Sequence, residues 1–175
     1  YDAPDVIHGK FDIVYTGIGA LCWLPDIRRW AQVVAALLKA GGFLYVYEGH
    51  PVLWALDNER DDDQLVLSEP YFETETPSEY VGEYTYVDGP PLKNTRDYEW
   101  NHGLGEIVTA LIDAGLRLEF LHEHREIAWK ALPQLTSGEA INPGSRYTRR
   151  EAWQLPPAQR DLCPLMYSLK ATLPL

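Results

Sequence analysis

The stretch LLKAGGFLYVYEG, residues 37–49, decides the fold, because it joins the end of a helical pattern to an unbroken apolar run. Apolar side chains recur at helical spacing ahead of it: Ile27, Trp30, Val33, Val34, Leu37 and Leu38. Gly41 and Gly42 are expected to stop that helix, since glycine readily takes the backbone conformation that ends one. Residues 43–47 then predict a buried strand.

A second apolar run lies upstream, at residues 11–15, and it is followed by the flexible turn of residues 16–19. Pro25 and Asp26 are typical of a helix start, so residues 11–47 read as strand, helix, strand. Neither strand alternates between apolar and polar residues. We therefore predict an α/β fold in which the sheet is covered on both faces.

Residues 55–100 follow another pattern, with an acidic stretch at 57–64 that leads into aromatic segments. Tyr80, Tyr84 and Tyr86 would share one face of a strand, and residues 89–91 form a turn. This region is predicted to be an insertion that contains a β-hairpin and lies over the end of the sheet.

Helical periodicity returns after residue 100, at Leu104, Ile107, Val108, Leu111 and Ile112. Asn101 is the expected N-cap of this helix, and Gly115 is the expected residue just past its end. Residues 116–120 and 165–173 alternate between apolar and polar side chains, which predicts two strands that can pair antiparallel.

Composition excludes several classes of function. The 175-residue chain has a net charge of −11, which disfavours nucleic acid and an anionic membrane as partners. Cys22 and Cys163 lack metal-ligand spacing, and His122 with His124 lacks a third ligand, so no metal site is predicted. No signal peptide and no apolar run of roughly 20 residues is seen, so a cytoplasmic location is expected.

Three stretches, at residues 11–15, 37–43 and 114–116, resemble in order and spacing the "FDxV", "LLkpGG" and "aGf" signatures of class I, Rossmann-like methyltransferases that use S-adenosylmethionine. Ala40 stands where proline is more usual in that family. The resemblance implies the sheet order 3-2-1-4-5-7-6 with strand 7 antiparallel.

On this resemblance, residues 11–15, 43–47, 116–120 and 165–173 are strands 4, 5, 6 and 7. The chain is then a single but partial domain: strand 4, helix and strand 5 in residues 1–54, an insertion or lid in 55–100, and the last helix and strands in 101–175. The family's glycine-rich loop would lie in roughly 90 residues upstream of Tyr1. Without strands 1 to 3 one side of strand 4 is open, so a partner such as a second copy in a homodimer is expected.

The resemblance also implies S-adenosylmethionine as cofactor. The loop Thr16, Gly17, Ile18, Gly19 would approach its methionine portion, because glycine lets a ligand lie close to the main chain. Asp2 and Ala3 match the family's adenine-recognising pair. An ordinary strand-to-helix loop and a surface loop are the structural alternatives for these two stretches.

The acceptor is expected to be a small molecule. Trp23 would wall its pocket, and Tyr84 and Tyr86 would offer aromatic faces from a lid. His50 and His102 are candidate general bases, since imidazole titrates near neutral pH. Core packing for the tryptophan, a packed hairpin for the tyrosines and a hydrogen-bonded structural role for each histidine are the alternatives.

Methyl transfer to a small molecule is therefore the predicted function. Two alternatives stay open: a Rossmann-type nucleotide-dependent oxidoreductase, and a non-catalytic methyltransferase-like remnant that serves as an interaction or dimerisation module. The antiparallel pair of terminal strands argues against the oxidoreductase.

Overall fold

The structure is a computed structural model, and it describes residues 1–82, 93–138 and 152–175. Tyr84, Tyr86 and the predicted turn at 89–91 lie outside the described residues. The helices and strands in chain order are α1 (Ala3–Val6), β1 (Phe11–Thr16), a 3-10 helix (Leu21–Trp23), α2 (Ile27–Leu37), β2 (Leu38–Gly49), α3 (Pro51–Ala55), β3 (Ser78–Val81), β4 (Arg96–Glu99), α4 (Leu104–Asp113), β5 (Arg117–His124), β6 (Glu126–Ile127), β7 (Thr136–Gly138), β8 (Ala152–Gln154) and β9 (Met166–Thr172).

The main sheet has the order β1-β2-β9-β5. β1 and β2 are parallel, whereas β9 lies between β2 and β5 and is antiparallel to both. This is the 4-5-7-6 part of the predicted order, with the last strand antiparallel. The predicted α/β architecture is confirmed.

Helix α2 begins as predicted but ends earlier. The Asp26 side chain accepts a hydrogen bond of 2.9 Å from the Arg29 N–H and so caps the first turn. The prediction that Gly41 and Gly42 stop the helix is wrong, because the chain is already extended from Leu38, which pairs with Phe11 of β1. The two glycines instead lie inside β2, where Gly41 has a φ of +79° at an irregularity in the pairing.

Close packing explains why residue 42 is a glycine. A Cβ atom there would lie 3.0 Å from the carbonyl oxygens of Phe11, Asp12 and Lys39, so any larger residue would crowd the backbone of both strands.

Helices α2 and α4 cover one face of the sheet. Their buried side chains form the main core together with strand residues of that face: Ile27, Trp30, Val34, Ile107 and Leu111 pack with Leu44, Val46, Leu169 and Ala171. On the other face Ile13 and Tyr15 are 55% and 62% exposed, and Tyr15 stacks on Tyr45. The prediction of cover on both faces is therefore wrong for the part of the chain that the structure describes.

Helix α4 begins at Gly103 as N-cap, so the prediction for Asn101 is wrong. The Asn101 side chain instead donates to the carbonyl oxygens of Pro51 and Pro70, which ties α3 and the insertion to the helix start. The predicted end is confirmed: Gly115 has a φ of +87°, and the Leu116 N–H donates to the Leu111 carbonyl.

Strands β3 and β4 form an antiparallel hairpin, which confirms a hairpin within the insertion. A small sheet with the order β6-β8-β7 covers a second apolar cluster: Leu53, Leu56, Ile127, Leu132, Leu135, Leu155, Leu165 and Met166. Of the helices described, none has the length and apolar character that crossing a bilayer requires.

Candidate functional site

A cavity of about 510 Å³ lies at the edge of the sheet where the parallel strands β1 and β2 both end. Open α/β sheets bind ligands at this edge, and the volume suits a small molecule. Its lining comes from the loop after β1, the end of β2, the insertion and α4: Ile18, Gly19, Leu21, Cys22, Trp23, Glu48, Gly49, Pro51, Trp54, Glu99, Trp100, Asn101, His102, Ile107, Trp129 and Tyr167.

Glu48, the second-last residue of β2, holds the loop after β1 in place. Its Oε1 accepts hydrogen bonds of 2.7 Å from the Gly19 N–H and 2.8 Å from the Gly49 N–H. Its Oε2 accepts one of 3.0 Å from the Ala20 N–H. Three amide donors thus compensate a carboxylate that is almost fully buried. The two strand ends are joined through this one side chain.

The residues predicted to hold the cofactor divide into two groups. Ile18 and Gly19 line the cavity, while Thr16 is buried and Gly17 is the next residue at the same strand end. Asp2 and Ala3 are not among the lining residues. Asp2 precedes the short helix α1, and its Oδ1 lies 3.6 Å from Arg29 Nη2. An adenine-binding role for Asp2 and Ala3 stays a prediction.

Four tryptophans line the cavity: Trp23, Trp54, Trp100 and Trp129. Trp54 and Trp129 stack, with ring centroids 6.2 Å apart and planes 20° from parallel. Trp23, the predicted pocket wall, is 52% exposed and so lies in the lining rather than in the core. Large aromatic faces of this kind favour flat or cationic groups as ligands.

Tyr167 lies beside Glu48, because these two residues pair across β9 and β2. The side chain lines the cavity, it is 0% exposed, and its hydroxyl has no hydrogen-bond partner among the described residues. Burial and the Glu48 carboxylate raise the pKa of Tyr167, so the phenol stays protonated at neutral pH. Burying a hydroxyl without a hydrogen-bond partner costs folding free energy. Such unpaired polar groups often mark binding sites.

We expect Tyr167→Phe to raise the free energy of unfolding by about 1 kcal/mol, because it removes a buried unpaired hydroxyl. Urea denaturation at pH 7 measures this. Tyr1→Phe is the matched control, since the Tyr1 hydroxyl donates to the Asp26 carbonyl at 3.0 Å and accepts from the Asp26 N–H at 2.8 Å. The control should lose about 1 kcal/mol. A loss for Tyr167→Phe as well would show that its hydroxyl has a hydrogen-bond partner.

His50 is outside the cavity lining. Its Nδ1 accepts a hydrogen bond of 3.1 Å from the Val52 N–H and caps α3, while its Nε2 lies 2.9 Å from Glu123 Oε1. Burial lowers the pKa of His50, and Glu123 opposes that shift. Both ring nitrogens are thus engaged. The geometry favours the structural alternative over a general base.

His102 does line the cavity, yet its ring is also engaged. Nε2 lies 2.7 Å from the Leu24 carbonyl oxygen, and Nδ1 lies 2.8 Å from Glu73 Oε2, although outside hydrogen-bond alignment. The same Glu73 oxygen accepts from the Ile27 N–H at 2.9 Å and so links the insertion to the start of α2. These contacts favour a structural role for His102.

Glu99, the last residue of β4, is the second carboxylate of the lining. It is half-buried, and within the described part of the chain no group donates a hydrogen bond or forms an ion pair with its carboxylate. Burial and the nearby Asp97 raise the pKa of Glu99. Burial, Glu99 and Glu48 also raise the pKa of the Cys22 thiol to about 12, which excludes a thiolate there at neutral pH.

Sequence reasoning missed Glu48, Glu99, Trp100 and Tyr167 as lining residues. A signal existed for Glu48, since a carboxylate directly after an apolar run in a buried strand needs several donors. Trp100 and Tyr167 are brought to the cavity by contacts that are distant in sequence. The Trp100 N–H, for example, donates to the Cys22 carbonyl at 2.9 Å.

No protein-family model and no curated protein matches the sequence. Solved structures do match. One, assigned as an S-adenosylmethionine dependent methyltransferase from Listeria monocytogenes, is 14% identical with a TM-score of 0.58, over 98% of this chain and 66% of that one. An S-adenosylmethionine dependent methyltransferase from Mesorhizobium loti is 16% identical with a TM-score of 0.53, over 97% and 66%.

This chain therefore spans slightly less than two thirds of either solved protein. At such low identity the likeness concerns architecture, and it agrees with the strand order read from the sheet. The chain has the Rossmann-like fold of the class I, S-adenosylmethionine-dependent methyltransferases.

Proposed function

We propose that this chain forms the acceptor-side part of an enzyme that transfers a methyl group from S-adenosylmethionine to a small molecule. The observation that carries the proposal is the position of the cavity. It opens where β1 and β2 end, and the predicted cofactor loop contributes Ile18 and Gly19 to its lining. Fold alone does not imply function, so the proposal depends on this site.

The lining suits a sulfonium cofactor in charge and shape. Its tryptophan faces attract cations, and among the lining residues that the structure describes none is Lys or Arg. When bound, the cofactor would supply an electrophilic methyl group on a positively charged sulfur.

The protein's own contribution to such a displacement is positioning and the exclusion of water. Glu48 fixes the loop after β1 against the end of β2. The stacked Trp54 and Trp129 provide an apolar wall. Because both histidines are engaged in structural contacts, the proposal assigns no general base to them.

The test is isothermal titration calorimetry with S-adenosylhomocysteine. We expect binding by the product of the complete open reading frame, and at least tenfold weaker binding, roughly 1.4 kcal/mol, by the 175-residue chain. No heat at millimolar ligand with the complete product would contradict the proposal. Tight binding by the 175-residue chain would mean that the cofactor site needs nothing upstream of Tyr1.

The non-catalytic interaction module remains a second candidate because of one observation. Ile13 and Tyr15 are exposed on the sheet face that α2 and α4 leave open. Sedimentation equilibrium on the same samples tests it, since concentration-dependent dimers together with absent ligand heat would favour the module.

A further inference from the structure

We infer that the acceptor carries a protonated amine on a flat apolar framework, and that the ammonium group binds beside Glu99 among the indole rings of the cavity. The inference rests on the proposed function, because it names the substrate class of that same site. Three features of the cavity support it: an uncompensated carboxylate, a wall of indoles and the place of Glu99 in the fold.

The charge in the cavity calls for a cation. Glu48 is compensated by three N–H groups, whereas the carboxylate of Glu99 has no donor and no cationic partner in the described part of the chain. A half-buried charge of this kind raises the energy of the folded protein until an opposite charge approaches. An ammonium group would supply both the charge and the hydrogen-bond donors. Anionic acceptors would be repelled.

The indole faces of the cavity favour the same kind of ligand. Cation–π attraction to tryptophan favours an ammonium group, and the near-parallel pair Trp54 and Trp129 offers a flat apolar surface to an aromatic framework. A cavity of about 510 Å³ leaves space for a molecule of this size.

The place of Glu99 distinguishes the acceptor from the cofactor. The cofactor is itself cationic, so a carboxylate could serve either ligand. Ile18 and Gly19 belong to the loop after β1, where the cofactor is predicted, whereas Glu99 belongs to the β3–β4 hairpin of the insertion. Because Glu99 reaches the cavity from a different element than the predicted cofactor loop, we assign it to the acceptor.

The experiment measures three ligands by calorimetry on the product of the complete open reading frame. Tryptamine is the cationic probe, and tryptophol is its neutral counterpart with the same indole and chain. S-adenosylmethionine, which carries the sulfonium charge, reports the cofactor site. Glu99→Gln removes the charge and keeps the size. Glu79→Gln is the control, since Glu79 lies on the same hairpin, pairs with Arg96 at 3.2 Å and does not line the cavity.

We expect tryptamine to bind about tenfold more tightly than tryptophol, because only tryptamine gains the charged contact. Glu99→Gln should remove that difference and leave the affinity for S-adenosylmethionine unchanged. The Glu79→Gln variant should retain both the preference for tryptamine and the affinity for the cofactor ligand. Circular dichroism checks that each variant is folded.

Two results would overturn the inference while leaving the proposed function in place. One is equal binding of tryptamine and tryptophol by a protein that binds S-adenosylhomocysteine. The other is a Glu99→Gln variant that loses affinity for S-adenosylmethionine as strongly as for tryptamine, since Glu99 would then serve the cofactor. Failure to bind S-adenosylhomocysteine, with a tryptamine preference that still depends on Glu99, would contradict the methyltransferase and support the cation site.

Discussion

Glu48→Ala is expected to lower the free energy of unfolding by about 4 kcal/mol, the largest loss that we predict for a single substitution. The reason is that the N–H groups of Gly19, Ala20 and Gly49 all donate to this carboxylate. Without it, three donors at the ends of β1 and β2 lose their partner. Urea denaturation at pH 7 measures the effect.

Glu48→Gln tests whether the size of the side chain or its hydrogen bonds matter more. The amide has nearly the same size and retains one oxygen, but it presents an NH₂ group to the remaining N–H donors. We expect an intermediate loss of stability and a clear loss of affinity for S-adenosylhomocysteine, since the loop with Ile18 and Gly19 is released. Glu119→Gln on β5 is the control: that carboxylate pairs with the exposed Arg117 at 2.8 Å, and its replacement should change little. Unchanged stability in Glu48→Ala would refute the bridging role.

Gly49→Ala is expected to cost about 2 kcal/mol through overpacking. The added Cβ would lie 2.4 Å from Cζ2 and 2.8 Å from Nε1 of Trp54, so the indole must leave its place. Because Trp54 stacks on Trp129, the cavity wall should be disturbed as well. Urea denaturation gives the stability, and tryptophan fluorescence reports the displaced ring.

Gly105→Ala is the matched control, since nothing lies within 4 Å of the added Cβ in α4. It should stabilise the protein by roughly 0.5 to 1 kcal/mol, because alanine favours helix over glycine. In a Trp54→Leu background the cost of Gly49→Ala should fall. An equal cost in both backgrounds would mean that the backbone, and not the indole, excludes the side chain.

The strand-helix-strand unit was predictable because its signals are local. The apolar runs that became β1 and β2 need burial wherever they lie, and Asp26 caps the following helix through an amide three residues away. Gly115 likewise ends α4 through its own backbone conformation. In all these cases the physical cause lies within a few residues of the feature.

The errors came from contacts between distant segments. Leu38 continues the helical spacing of α2, yet pairing with Phe11 draws it into β2. Asn101 has the side chain of an N-cap, but the carbonyl oxygens of Pro51 and Pro70 compete successfully for its amide. A local pattern contains no information about either competitor.

The same distinction holds for the site. Ile18, Gly19 and Trp23 follow an identifiable strand, so the sequence located them at the cavity. Trp129 and Tyr167 reach it from later parts of the chain, the first through stacking on Trp54 and the second through pairing with Glu48. The position of these two side chains at the cavity depends on the topology of the whole sheet.

That topology has a consequence for biosynthesis. β9 lies between β2 and β5, and Phe43 pairs with Thr172, so a central strand leaves the ribosome after both of its neighbours. Until then β2 and β5 have no partner on that side, and Tyr167 is absent from the cavity. Folding of this sheet is accordingly expected to be completed only after β9 has been synthesised, because β2 and β5 are joined through it.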